Sequence, residues 1–205
     1  MSRRLGASLE FHIRHAQDIL ALEELGADAS GKSGARPDGV SEDDWSKYGE
    51  VLTMASRQAA DLLIEIRDRA IASLSATVLV TSKSMPRSTY SSWDTWFEFK
   101  LRGGGRKGPV GWIGALIGTA PIQGDLLIAY ILPKGGEQRE LQVLQTLRKR
   151  GIAVPDDVRR LVDGNAAPLC VVPLTPDADA DELTASAVAA IEKVAPHVSL
   201  CAEVA

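Results

Sequence analysis

Cysteine is scarce in this chain: Cys170 and Cys201 are the only two among 205 residues. Neither has a second cysteine at metal-ligand spacing, which excludes a zinc site built from cysteines. Both lie in apolar runs, Leu169-Cys170-Val171-Val172 and Val198-Ser199-Leu200-Cys201. Free cysteine in such a setting behaves as a small buried hydrophobe. The pair is read as reduced core residues, with a disulfide only if their strands are neighbours, and this points to a cytoplasmic compartment. Histidine is nearly as rare, with three in all. His12, His15 and His197 allow no serine–histidine–acid arrangement. No run reaches the roughly 18 apolar residues of a membrane-spanning helix. Glu10, His12 and Arg14 interrupt any apolar stretch near the first residues, so no secretory leader is expected there.

What is present is ordinary in amount and uneven in placement. Apolar residues make up 45% and charged residues 24%, which suits a globular chain and argues against global disorder. Net charge is −4. Residues 1–70 carry 9 Lys/Arg against 13 Asp/Glu, a net of −4. Residues 71–150 carry 11 against 5, a net of +6, and residues 151–205 carry 3 against 9, a net of −6. Such segregation bears on partners rather than on fold.

Hydrophobic periodicity divides the chain. Residues 8–25 space Leu9, Phe11, Ile13, Ala16, Ile19, Leu20 and Leu22 as one amphipathic helix. Residues 26–41 are turn-rich, a linker. Ser41 followed by Glu42, Asp43 and Asp44 marks a helix start. A long helix to about residue 74 follows, with Trp45, Tyr48, Leu52, Ala55, Ala59, Leu62, Leu63 and Ile66 as its apolar stripe. Residues 76–81, 93–102, 110–118 and 126–132 read as strands. In the second of these, Trp96, Glu98, Lys100 and Arg102 alternate onto one face. A helix over 137–150 places Leu141, Leu144 and Leu147 together and ends before Gly151. Residues 169–174, 181–194 and 198–204 read as a strand, a helix and a last strand. The expected fold is therefore α+β: two N-terminal helices and a mostly antiparallel sheet over residues 76–132, extended by a C-terminal strand–helix–strand unit. Residues 1–41 form an arm and linker, and residues 42–205 form one domain.

Three familiar patterns lack the context their chemistry requires. Gly26 to Ser33 matches the phosphate-loop spacing, but helix precedes it where a strand is needed, and Gly34, Pro37 and Gly39 oppose the helix that should follow. Gly103 to Gly108 matches the dinucleotide fingerprint but leads into Pro109 and a strand, so no helix N-terminus faces a pyrophosphate. His12 and His15, three apart on the first helix, are read as exposed surface residues. Glu98-Phe99-Lys100 resembles the Glu-x-Lys strand of a large class of metal-dependent nucleases. The resemblance covers three residues and implies a metal-dependent nuclease using Glu98 and Lys100. Asp94 on the same strand is roughly 13 Å from Glu98, too far to share an ion.

The remaining signal is regional. Basic and aromatic residues interleave from Lys83 to Lys107, and base stacking combined with phosphate contacts is how single strands are held. The expected ligand-binding residues are Lys83, Arg87, Trp96, Lys100, Arg102, Arg106 and Lys107. The expected function is a non-catalytic binding or adaptor protein for nucleic acid or an acidic protein surface, with no cofactor, no bound metal and no membrane. The alternatives are the nuclease and a structural subunit of a larger assembly, including a homo-oligomer.

Overall fold

The computed structural model describes residues 3–15, 18, 21, 36, 38–74, 79–83, 87–88, 95–102, 109–117, 126–131, 137–152 and 166–200. Side chains are described for 3–15, 18, 21, 36, 38–74, 141, 144–152 and 170–197.

Helix α1 spans Ala7–Arg14. Its N-cap is Gly6, which has no side chain to hold the first free amides. Gln58, from the next helix, supplies the missing acceptor: the Leu9 N–H donates to Gln58 Oε1 at 2.8 Å. A tertiary contact thus does the work of a cap. His15 closes the helix, its N–H donating to the Phe11 carbonyl at 3.0 Å. The single helix expected over 8–25 is corrected here, because α1 ends at Arg14.

Helix α2 spans Glu42–Leu74, about 50 Å at 1.5 Å per residue. The Ser41 hydroxyl accepts the Asp44 N–H at 3.1 Å and donates to the Asp44 carboxylate at 2.7 Å. Glu42, Asp43 and Asp44 lie where the helix dipole favours negative charge. Burial begins only at Ala55 and continues through Ala59, Leu62, Leu63, Ile66, Ala70 and Leu74. The first three turns carry only half-buried apolar residues, including Trp45 stacked on Tyr48 with ring centroids 5.2 Å apart.

Helix α3 spans Glu137–Lys149 and helix α4 spans Ala180–Leu200. Asp179 caps α4, with Oδ1 accepting the amides of Asp181 at 2.8 Å and Glu182 at 3.3 Å. Leu183, Thr184, Ala187, Ile191, Val194 and Ala195 form its buried face. Together with Leu5, Leu9, Leu144, Leu147, Ile152 and the stripe of α2 they make one core. Each fully buried Leu or Ile contributes about 1.5–3 kcal/mol.

Between residues 79 and 172 the backbone also traces six strand segments: β1 (Leu79–Lys83), β2 (Arg87–Ser88), β3 (Thr95–Arg102), β4 (Pro109–Ile117), β5 (Leu126–Ile131) and β6 (Ala166–Val172). Their backbone ladders are antiparallel, in the order β1-β3-β4-β5-β6 with β2 beside β3. Only residues 170–172 of these segments belong to the part with described side chains. That part is 75% helix and 5% strand, with one lone strand and no sheet. The α+β expectation, with its mostly antiparallel sheet over residues 76–132, is therefore overturned: the packed body is mostly helical, and its core is helix against helix.

The C-terminal strand–helix–strand unit is corrected as well. Residues 198–200 continue α4 and do not begin a strand, and Pro196 lies inside the helix. Proline in a helix interior removes one backbone bond, but Ile191, Val194 and Ala195, all buried, hold this last part of α4 against the core. Two side-chain expectations also fail. Phe11, expected in the apolar stripe, is 47% exposed, whereas His12, expected at the surface, is 0% exposed. Leu141, expected beside Leu144 and Leu147, is 59% exposed.

Candidate functional site

Most of the residues singled out by sequence fall where no side chain is described. Lys83, Arg87, Trp96, Glu98, Lys100 and Arg102 lie on traced strand backbone, and their side chains are outside the described set. Arg106 and Lys107 lie outside the described residues altogether, as do residues 26–33, 103–108 and Cys201. Cys170 is a half-buried free thiol. Its burial pushes the thiol pKa up, against the opposing charge of Lys193. Among the described residues, no group of three His, Cys, Asp or Glu side chains could hold a metal ion. No described helix is long and apolar enough to cross a membrane.

The structure assembles three features that periodicity did not indicate. The first is a clip at the N-terminal end. Arg3 Nη2 lies 2.5 Å from Glu65 Oε2 on α2, and Arg3 Nε lies 2.9 Å from Asp181 Oδ1 on α4. Glu65 Oε1 also takes Arg69 Nη2 at 2.5 Å. The Arg3 carbonyl accepts the Ala180 N–H at 2.7 Å, and Arg4 forms a backbone bridge with Asp179. One short segment therefore ties α2 to the capped start of α4. Glu65, foremost, raises the Arg3 pKa further above its ordinary value. A guanidinium that never loses its proton does no acid–base work, and the partners of this one are the carboxylates of α2 and α4.

The second feature is His12, fully buried on α1. Desolvation lowers its pKa from 6.5 to about 4, because burial disfavours the charged imidazolium. Its helix neighbour His15 faces outward, with the ring 4.5 Å from Phe11 and Nδ1 3.5 Å from Asp18 Oδ2. The two histidines do not converge on a common site.

The third feature is the basic end of α3, where Arg148, Lys149 and Arg150 are exposed. Gly151 follows at φ +70°. The Ile152 N–H donates to the Leu147 carbonyl at 3.0 Å and the Gly151 N–H to the Arg148 carbonyl at 3.0 Å. This pair of bonds is the Schellman closure, in which the residue after the glycine packs back on the helix. Leu147 and Ile152 are both buried in the core. The backbone of the three cations is thereby pinned, while their side chains face solvent. On α4, His197 has its pKa lowered first by burial and then by the positive charge of Arg150. No protein-family model matches the chain, and no curated protein or solved structure matches it.

Proposed function

We propose that the chain is a non-catalytic, cytoplasmic binding protein that engages an anionic partner through its basic middle segment. The observation carrying this reading is the segregation of charge: +6 over residues 71–150, between flanks of −4 and −6. Cationic patches raise the local concentration of anionic ligands and speed their encounter. Nucleic acid is the favoured partner, because Trp96 interleaves in sequence with Lys83, Arg87, Lys100, Arg102, Arg106 and Lys107, and stacking on aromatic side chains complements phosphate contacts. The exposed cations at the end of α3 are part of the same segment.

The test is fluorescence anisotropy with labelled single- and double-stranded DNA and RNA, across a salt series. Binding that is tightest at low salt and weakens linearly on a log–log plot is the expected result. Absence of binding at low salt to every nucleic acid ends the nucleic-acid reading, and binding only to an acidic protein replaces it. Product analysis of the same samples with magnesium or manganese checks the Glu98–Lys100 nuclease, whose signature is cleavage lost in Glu98→Ala.

A further inference from the structure

We infer that residues 3–14 form a strap that opens as one unit while α2 and α4 stay packed, uncovering the apolar surface beneath Leu5 and Leu9; this is independent of the binding reading above. The strap ties onto both long helices. The Arg3 side chain pairs with Glu65 on α2 and Asp181 on α4, the Arg3 carbonyl accepts the Ala180 N–H, and Arg4 bridges Asp179. Further along, Gly6 lies against the Gln58 side chain, which accepts the Leu9 N–H. Gln58 is seven residues before Glu65, about 10 Å along α2. The strap therefore leaves the start of α4 and follows α2 back towards its beginning. Leu5 and Leu9 are buried in the core as it does so.

Three observations make this segment a unit of its own. First, α1 does not survive detached. It has eight residues, below the roughly 12–15 at which an isolated helix is even marginal in water, and its Gly6 cap offers no side-chain acceptor. Undocking removes the Gln58 acceptor, so undocking and melting are one step. Second, the tie to α4 is weak. Arg3 and Asp181 are half-exposed, and solvated ion pairs contribute little. Third, the body beneath has ties that bypass the strap. Ser41 caps α2 and Asp179 caps α4. The two helices pack directly on each other, and the Ser73 hydroxyl on α2 donates to the Glu192 carboxylate on α4. A segment held by few contacts on such a body opens below the free energy of global unfolding.

The experiment is native-state hydrogen exchange of the full chain, followed residue by residue by NMR in low concentrations of urea, which leaves ion pairs unscreened. Ala180 is the informative amide, because it belongs to α4 yet is bonded to the strap. The amides of Leu9, Glu10 and Ala180 should exchange through one opening, with a common free energy and a shallow urea slope. The amides of Leu63, Ile66, Ala187 and Ile191, all fully buried residues, should stay protected until the steep global transition. Arg3→Ala should speed Leu9, Glu10 and Ala180 by one common factor of about five, the worth of two weak ion pairs. That variant keeps the carbonyl at position 3, so a change at Ala180 reports opening rather than a lost acceptor. Exchange of the three amides only together with the core amides overturns the strap, because the segment then leaves only when the whole chain unfolds. Unequal factors at the three amides in Arg3→Ala overturn it as well, because its contacts then open one at a time.

Discussion

Acidification should destabilise this protein through His12 in a defined pH window. The folded-state pKa is about 4 against an ordinary 6.5, and the ring is fully buried. Below pH 6.5 the unfolded chain takes up a proton at this position, while the folded chain refuses it until about pH 4. The contribution of neutral His12 is therefore complete above pH 6.5, declines between 6.5 and 4, and changes no further below 4. At 1.36 kcal/mol per pKa unit, the separation corresponds to about 3 kcal/mol. For a chain of this size 1 kcal/mol moves Tm by roughly 2–4 °C, so the shift is roughly 6–12 °C. Thermal unfolding of the wild type and His12→Leu, at several values from pH 7.5 to 4, isolates the effect by subtraction. The carboxylates titrate in both proteins. So does His197, whose pKa is also lowered, by burial and by Arg150. The wild type should lose several degrees more than the variant across the window. Equal losses in the two proteins would refute the claim that burial of His12 couples folding to pH.

Substitutions at four other positions probe the packing, each read by chemical or thermal denaturation. Gly6→Ala drives a Cβ into the Gln58 carboxamide; moving that group sacrifices its bond to Leu9, at about 1–2 kcal/mol. Gly151→Ala has open space around the new Cβ, so its cost is the left-handed backbone alone, about 1–2 kcal/mol; Gly151→Asn should cost less. Leu63→Ala empties a fully buried position and should lose about 2–5 kcal/mol. Arg3→Ala removes two half-exposed ion pairs, so the loss should stay near 1 kcal/mol and shrink further at high salt.

Legibility in the sequence followed the distance over which each cause acts. The Ser41 cap and the Gly151 closure depend on residues within five positions, and their letters mark where α2 begins and α3 ends. Periodicity found the stripe of α2 because 33 residues average out local ambiguity. It failed on α1, whose eight residues allow more than one buried face. There the rotation is set by Leu9 and by the Gln58 contact 49 residues away, and the outcome buries His12 and exposes Phe11. Residues 198–200 were misread for a related reason. A short apolar run after a proline fits strand and helix equally, and the choice was made by the core contact of Ile191, Val194 and Ala195 just upstream.

The candidate site divides along the same line. The Arg3 clip joins residues 62 and 178 positions apart, and no spacing in the sequence announces it. The basic end of α3 was legible as three consecutive letters, yet letters alone assign it to the helix dipole. What the fold adds is the closure beneath those letters: the turn at Gly151 and the burial of Leu147 and Ile152 pin the backbone that carries the three cations. A count of charge along the chain registers the cations and misses that anchorage, because the anchorage comes from apolar contacts with the core and not from the charges themselves.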